Sequence, residues 1–191
     1  METARADTPH CYEAVDILQP RSERSAFFRE NARYDEVPLV IYRGKPLVQS
    51  NAILLHLAEK LQLLQGGTDK DGPERAQVAE WLMWEQSRLG FSLPNLRFER
   101  KFRTGCDPAV LAWLEARLRG DLDVLNNHLG QSTGGFIVGN SLSIADCSLA
   151  GYLYWLSDAG LKIADWPAVE AWLTRLSELE HWQHPDDLMR A

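Results

Sequence analysis

The sequence predicts a small α/β unit followed by an all-helical unit. Two short apolar runs, residues 37–42 and 46–49, flank a turn at Gly44, which is typical of a β-hairpin. From Asn51 onward the apolar residues recur at intervals of three and four, as in helices. A cluster of Gly, Asp and Pro separates the two parts. We therefore expect an α/β domain, a linker and a helical domain at residues 1–64, 65–73 and 74–191.

The elements of the first unit follow from short local patterns. Residues 12–18 predict a strand, and residues 21–31 predict a short helix with Phe27 and Phe28 on its apolar side. A hairpin is expected over residues 37–49. The helix that follows carries one apolar stripe, formed by Ile53, Leu54, Leu57, Ala58 and Leu61.

The sequence of the second unit predicts four helices. Pro73 suits the first turn of a long helix that reaches about Gly90. Asp107 and Pro108 open another helix, in which leucines recur by threes and fours without a break. Two further helices are expected over residues 143–157 and 166–179, the last with Pro167 at its start.

Composition excludes several classes of function. The 191 residues carry a formal net charge of −7, which disfavours nucleic acid and anionic membrane surfaces as partners. No apolar run approaches the ~18 residues of a membrane span, and the first ten residues lack the features of a secretory signal. We expect a cytoplasmic protein.

Cysteines and histidines give no metal site. Cys11, Cys106 and Cys147 lie far apart, so their spacing predicts neither a disulfide framework nor a zinc pattern, and we expect each to be a small buried residue. His181 and His184 stand three apart without a Cys or carboxylate partner, which favours a solvated C-terminal segment.

Two short motifs stand at the ends of the predicted hairpin, and each has two interpretations. Val37-Pro38 is either an ordinary edge-strand proline or a strand end whose main-chain groups pair with a peptide-like ligand. Gln49-Ser50 precedes an apolar helix. Ser50 either caps that helix or belongs to an anion site at its N-terminus.

A third motif is structural. Ser143 is followed three residues later by Asp146, which is close to a capping box with Asp in place of the usual Glu or Gln. We expect Asp146 to stabilise the start of a helix rather than to act as a catalytic acid. The basic residues of "LRFERKFR" (96–103) either face an anionic substrate or form a solvated face, and we expect the solvated face.

In combination and order, these features resemble the cytosolic glutathione transferases. The resemblance rests on "VPLVIYRGKPLVQSNAILLHLAEK" (37–60), the Gly-rich linker, the long helices and "GFIVGNSLSIADCSLAGYL" (135–153). It covers about residues 12–180, and the ending "WQHPDDLM" is similar to bacterial members. The resemblance implies a thioredoxin-like domain followed by an α-helical domain, a homodimer, glutathione as co-substrate and a small electrophile as second substrate.

The resemblance also implies roles for particular residues. Val37 would pair its backbone with the cysteinyl part of glutathione, ahead of a cis Pro38. Gln49 and Ser50 would hold the γ-glutamyl end, with Ser50 taking its carboxylate. Arg33 or Tyr34 would flank the glycyl end, although no motif fixes either. The electrophile would lie between the domains near Trp84, Arg88 and Phe91.

One part of the family pattern has no counterpart. The family carries a catalytic Tyr, Ser or Cys just after its first strand, whereas the predicted strand at Tyr12 matches the family's second strand. Cys11 and Tyr12 therefore stand in the wrong place, and the catalytic residue is unknown. Either the working protein carries an upstream segment with the catalytic residue, or it is a natural short form that is non-catalytic or differently catalytic. A non-catalytic form would bind glutathione or another protein. The intact mass of the native protein separates these hypotheses.

Overall fold

The computed structural model describes residues 11–66 and 72–188. Within these ranges the chain forms one two-stranded sheet and eight α-helices, with three short 3₁₀ turns. The elements of the first half are α1 (Ala26–Asn31), β1 (Leu39–Tyr42), β2 (Lys45–Val48) and α2 (Ser50–Leu61). Those of the second half are α3 (Pro73–Ser87), α4 (Leu89–Lys101), α5 (Pro108–Gln131), α6 (Ile144–Leu153), α7 (Pro167–Ser177) and α8 (Pro185–Leu188). The predicted class, an α/β unit followed by a helical unit, is confirmed.

The hairpin forms where the sequence predicts it. Strands β1 and β2 pair antiparallel, with Leu39 opposite Val48 and Tyr42 opposite Lys45. The two connecting residues, Arg43 and Gly44, both have positive φ values of 49° and 76°. A two-residue loop with this geometry matches the right-handed twist of the flanking strands, which explains why glycine suits the second position.

The strand predicted over residues 12–18 is wrong. These residues have no partner strand in the described part of the chain, and a strand without a ladder leaves its main chain unpaired. The Asp16 carboxylate instead accepts a hydrogen bond from the N–H of Leu18 at 2.9 Å, which closes a local turn. The Arg24 guanidinium then holds this turn by donating to the Ile17 carbonyl at 2.7 Å and to the Asp35 carbonyl at 2.9 Å.

The helix predicted over residues 21–31 is only partly formed. A 3₁₀ turn at Arg21–Glu23 precedes α1, whose N-cap is Ser25. Phe28 is buried but Phe27 is exposed, so the prediction that both pack inward is wrong for Phe27. Adjacent helical residues point about 100° apart, and a helix of six residues offers the core only one narrow face.

The main core lies in the helical half and is organised around α5. The buried leucines of this helix, at positions 114, 118, 122, 125 and 129, follow the spacing that the sequence shows. They meet buried side chains of α4, α6 and α7, namely Leu89, Leu93, Leu96, Leu149, Val169, Trp172 and Leu176. Every helix in the described residues is too short or too polar to cross a membrane.

The long helix predicted from Pro73 to about Gly90 ends earlier and is followed by a second helix. The break falls at Arg88, whose φ and ψ are −120° and −90°. Its guanidinium Nε lies 3.2 Å from the carboxylate of Asp121, a buried residue of α5, which also accepts a hydrogen bond from Ser92. The main chain therefore turns at the point where Arg88 reaches this buried acid.

Helix α6 begins with the capping box that the sequence predicts. The Asp146 carboxylate accepts hydrogen bonds from the N–H and the hydroxyl of Ser143, both at 2.9 Å. It also accepts one from the Ile137 N–H at 2.9 Å and one from the Trp172 indole N–H at 3.0 Å. One fully buried carboxylate thus joins the start of α6 to the preceding loop and to α7.

The Asp146→Ala substitution is expected to lower the free energy of unfolding by about 3 kcal/mol, because it leaves several buried donors without an acceptor. Urea denaturation monitored by circular dichroism measures this loss. Asp187→Ala is the matched control, since Asp187 is exposed and should change stability by less than about 0.5 kcal/mol. Equal stabilities for the two variants would contradict the assigned role of Asp146.

Candidate functional site

The candidate site lies at the open end of the hairpin. If the register of β1 and β2 continued by two residues, Val37 would stand opposite Ser50. The ladder instead ends at Leu39 and Val48. The Val37-Pro38 peptide bond is cis, as the resemblance implied, and Gln49 has a φ of 72°.

A side-chain contact closes the same end of the hairpin. The Gln49 amide donates a hydrogen bond to the Glu36 carboxylate at 3.1 Å, which bridges the chain before β1 and the chain after β2. This end of the hairpin therefore brings together the four residues that the sequence analysis assigned to one site, namely Val37, Pro38, Gln49 and Ser50.

Polar groups at this end are available to a ligand. Val37 and Pro38 are exposed, and the Val37 main chain makes no hydrogen bond within residues 11–66 and 72–188. Ser50 is also exposed. It is the first residue of α2 rather than its cap, because the N-cap is Gln49, which makes no side-chain capping bond. The interpretation that Ser50 simply caps its own helix is therefore wrong.

The N-terminus of α2 has the properties of an anion site. Its first intrahelical bond runs from the Ile53 N–H to the Gln49 carbonyl at 3.0 Å, so the N–H groups of Ser50, Asn51 and Ala52 precede the ladder. The helix spans twelve residues, and its dipole places partial positive charge at this end. A carboxylate can accept from these N–H groups and from the Ser50 hydroxyl together.

Glu36 is a component of the site that the sequence reasoning missed. Its carboxylate is exposed and accepts a hydrogen bond from Gln49, the residue directly before α2, so it places a negative charge near the N-terminal end of that helix. Neighbouring positive and negative subsites suit a zwitterion, such as the amino-acid end of a peptide. In the sequence, the only signal for this residue is the position of an acid directly before Val37-Pro38.

The residue after Ser50 connects the site to the helical half. The Asn51 amide nitrogen donates to the Leu82 carbonyl and to the Glu85 carboxylate, both at 2.8 Å. Its oxygen accepts from the Ser148 hydroxyl of α6 at 2.7 Å. Since Asn51 is buried, these bonds hold the start of α2 against α3 and α6.

Glu85 is an unusual acid because it is buried between helices. Burial raises the pKa of its carboxyl, and the hydrogen bond from Asn51 opposes part of that rise. The carboxylate also lies directly against Gly90 of α4, where any side chain would collide with it. The first turn of α4 must therefore keep a glycine beside this acid.

The three residues expected near an electrophile each make contacts with other side chains of the helical half. Trp84 packs edge-on against Trp81, with ring centroids 5.2 Å apart. Arg88 is bound to the buried Asp121, and Phe91 packs against a ring of α5, that of Trp113. These contacts do not bring the three predicted residues together. Arg33 and Tyr34 are exposed and pack on each other, with the guanidinium 5.3 Å from the ring centre.

The basic stretch of α4 is neutralised by ion pairs. Arg97 and Lys101 both bind the carboxylate of Asp158, at 2.9 and 2.7 Å. The other two cations are paired as well, Arg100 with Glu115 and Arg103 with Glu99. This stretch is thus a network of paired surface charges rather than an open anion site.

Neither Cys106 nor Cys147 has the environment of an activated thiol. Burial raises the pKa of Cys147 to about 12. A hydrogen bond to Glu99 raises the pKa of the Cys106 thiol. Both changes disfavour the thiolate, which is the reactive form. Cys11 is exposed, and Cys106 and Cys147 are only half-buried, so the expectation of three buried cysteines is wrong.

The buried Glu85 predicts a pH dependence of stability. Because its folded pKa lies above the unfolded value, this carboxyl stabilises the fold fully below about pH 4.5, and that contribution is lost as pH rises through the folded pKa. Glu85→Gln keeps an acceptor for Asn51 but cannot ionise. Relative to the parent protein, we expect the variant to gain stability between pH 4.5 and pH 8, as measured by urea unfolding.

The control for this comparison is Glu178→Gln, which alters an exposed glutamate at the end of α7. Its unfolding free energy should follow that of the parent protein at each pH. If Glu85→Gln also follows the parent protein, the buried carboxyl does not titrate as its environment indicates.

Two comparisons with protein families match this architecture. The model of the glutathione S-transferase N-terminal domain matches residues 9–59, which include the hairpin and most of α2. The model of the glutathione S-transferase C-terminal domain matches residues 108–175, from the start of α5 into α7. The predicted thioredoxin-like and helical domains are therefore those of this fold.

Individual relatives agree with the family models. Human glutathione S-transferase A3 is 32% identical over 170 residues, which cover 87% of this chain and 69% of that protein. A glutathione S-transferase structure from Xanthobacter autotrophicus has a TM-score of 0.72 at 32% identity and covers 86% of this chain and 80% of its own.

A third structure was solved with glutathione. It is a glutathione transferase from Burkholderia graminis with two glutathione molecules bound per subunit, and it has a TM-score of 0.65 at 26% identity. The match covers 81% of this chain and 67% of that one. From the match to human A3, together with both domain models, the chain belongs to the glutathione S-transferase family.

Proposed function

We propose that this protein binds glutathione at the open end of the hairpin and uses it as a co-substrate. The observation that carries the proposal is the exposed Ser50 hydroxyl at the N-terminus of α2, beside the unpaired main chain of Val37. The Burkholderia relative, which holds glutathione, supports the same ligand class. Membership of the family makes this tripeptide the first ligand to test.

Each part of the tripeptide has a complementary group. Ser50 and the free N–H groups of α2 bind the γ-glutamyl carboxylate, and Gln49 contacts the same end of the ligand. The Val37 N–H and C=O pair with the cysteinyl main chain, and Pro38 fixes the chain at that point. Glu36 stands close enough to Gln49 to meet the γ-glutamyl ammonium group.

The proposed reaction uses the glutathione sulfur as nucleophile. Attack on a small electrophile forms a carbon–sulfur bond and releases the leaving group, while the thiol proton passes to solvent. A related outcome is reduction of the electrophile, in which two glutathione thiols supply two electrons and two protons and become the disulfide. A free thiol has a pKa of about 8.5, so the reaction depends on how far the site favours the thiolate. No residue among those described is assigned to that task.

The alternative is a protein that binds glutathione or another protein without catalysis. Two observations keep it open. Cys106 and Cys147 have raised thiol pKa values, and Trp84, Arg88 and Phe91 make separate contacts that do not converge on one pocket. Both functions require the glutathione site, so a binding measurement comes before a kinetic one.

Ser50→Ala is expected to weaken glutathione binding about ten- to a hundredfold, because it removes one hydrogen bond to a charged carboxylate. Isothermal titration calorimetry with reduced glutathione measures the change. Ser177→Ala is the matched control, since Ser177 is an exposed serine at the end of α7 and bonds only to its own helix. Its affinity should equal that of the parent protein.

The same proteins then separate catalysis from binding. A chromogenic chloronitrobenzene loses chloride when the glutathione sulfur adds, and the parent protein is expected to accelerate this step. Binding without turnover supports the non-catalytic alternative. Absence of glutathione binding in the parent protein would contradict both glutathione functions and favour a role in protein interaction.

We also propose a homodimer, which the family resemblance implies. Apolar side chains on three consecutive helices are exposed in the single chain, with Met83 of α3 72% exposed, Phe98 of α4 41% and Trp113 of α5 53%. Exposed apolar surface of this kind is typical of interfaces. Sedimentation equilibrium should give twice the 21.7 kDa chain mass, and a species of one chain mass across micromolar concentrations would refute the dimer.

A further inference from the structure

A second cavity lies in the helical half, away from the hairpin end. It has a volume of about 500 Å³ and opens between α3, the C-terminal end of α5 and the loop over residues 132–140. None of the residues proposed to hold glutathione lines it. Its size falls within the usual range of about 300–1,000 Å³ for small-molecule sites.

An aromatic pair forms one wall of the cavity. Trp81 of α3 and His128 of α5 face each other with ring centroids 4.5 Å apart. His128 Nε2 lies 2.8 Å from the Ile137 carbonyl oxygen. Since a carbonyl only accepts, this nitrogen carries the hydrogen, and Nδ1 of the neutral ring is an acceptor. The tautomer is thus assigned from the hydrogen bond.

The other described lining residues include one acid and several side chains that offer hydrogen-bond acceptors. Glu80 is exposed and contributes a carboxylate from α3. Gln131 and Ser132 lie at the C-terminal end of α5, a helix of 24 residues whose dipole places partial negative charge there. The Ser132 hydroxyl donates to the Phe136 carbonyl at 3.4 Å, so its oxygen remains an acceptor.

Positive charge is missing from the described lining. Among residues 11–66 and 72–188, no lysine or arginine lines this cavity. Arg175 of α7 packs its guanidinium against Gly135, which neighbours the lining residue Gly134 but does not itself line the cavity. A negative carboxylate and a helix C-terminus therefore act on the cavity without a lining cation to balance them.

We propose that this cavity is a binding site for a small organic cation, a primary ammonium or guanidinium compound. The cation pairs with Glu80 and donates hydrogen bonds to the acceptors at the end of α5. Its carbon chain packs on the ring of Trp81, which also attracts the charge. The site is separate from the glutathione site and does not depend on the proposed transferase function.

The test is a titration of the full-length protein with n-butylammonium chloride, followed by ¹H–¹⁵N correlation spectra at constant ionic strength. We expect saturable shifts at the Trp81 indole N–H and at the amides of Ser132 and Asn140. The neutral isostere 1-butanol should bind at least about tenfold more weakly, because the cation carries the interaction. Equal affinity for both probes would overturn the proposal.

Two variants probe the charge directly. Glu80→Gln should weaken n-butylammonium binding about tenfold, and Glu178→Gln, an exposed glutamate outside the cavity, should leave it unchanged. Asn140→Lys places a cation at the rim and should abolish binding while circular dichroism reports an intact fold. Undiminished affinity in either cavity variant would overturn the proposal, whereas Ser50→Ala should bind the probe like the parent protein.

Discussion

The carboxamide of Asn51 joins the two halves of the protein at the point where the candidate site begins. Through bonds of 2.7–2.8 Å it is held by Leu82, Glu85 and Ser148, which belong to two helices of the other half. Helix α2 starts one residue earlier, so these bonds fix the direction in which its free N–H groups point. The geometry of the hairpin end therefore depends on packing in the helical half.

The hydrogen bonds of Asn51 constrain the residues around it. A carboxylate must be buried to accept from Asn51, and its pKa rises in consequence. Gly90 must lack a side chain to leave room for that carboxylate, close to where α3 ends and α4 begins. At the break itself, Arg88 reaches a second buried acid, Asp121. The interruption between α3 and α4 is thus bounded by two buried carboxyl groups.

Sequence patterns over a few residues predicted the hairpin, helix α5 and the start of α7. The hairpin follows from Gly44 and the alternating runs, helix α5 from its leucine spacing, and the start of α7 from Pro167. Ser50 could be identified as a candidate because a polar residue at a helix start is a local signal. The strand predicted over residues 12–18 failed because a strand depends on a distant partner, which the described chain does not supply.

The contacts that define the site are long-range and could not be read from spacing. Ser148 and Asn51 are 97 residues apart, and Asn51 and Glu85 are 34 apart. Glu36 was missed because an exposed glutamate before a strand carries no distinctive pattern. The end of α3 at Arg88 likewise depends on Asp121, a residue in another helix.

The side-chain amide of Asn51 is also open to deamidation. Hydrolysis of a side-chain amide turns asparagine into aspartic acid, and at this position the new acid would face Glu85 across what is now a 2.8 Å hydrogen bond. Two carboxyl groups so close cannot both ionise in a buried setting and would have to share a proton. Deamidation at this one residue would therefore make the bond between α2 and α3 depend on a shared proton, and the join between the two halves would become sensitive to pH.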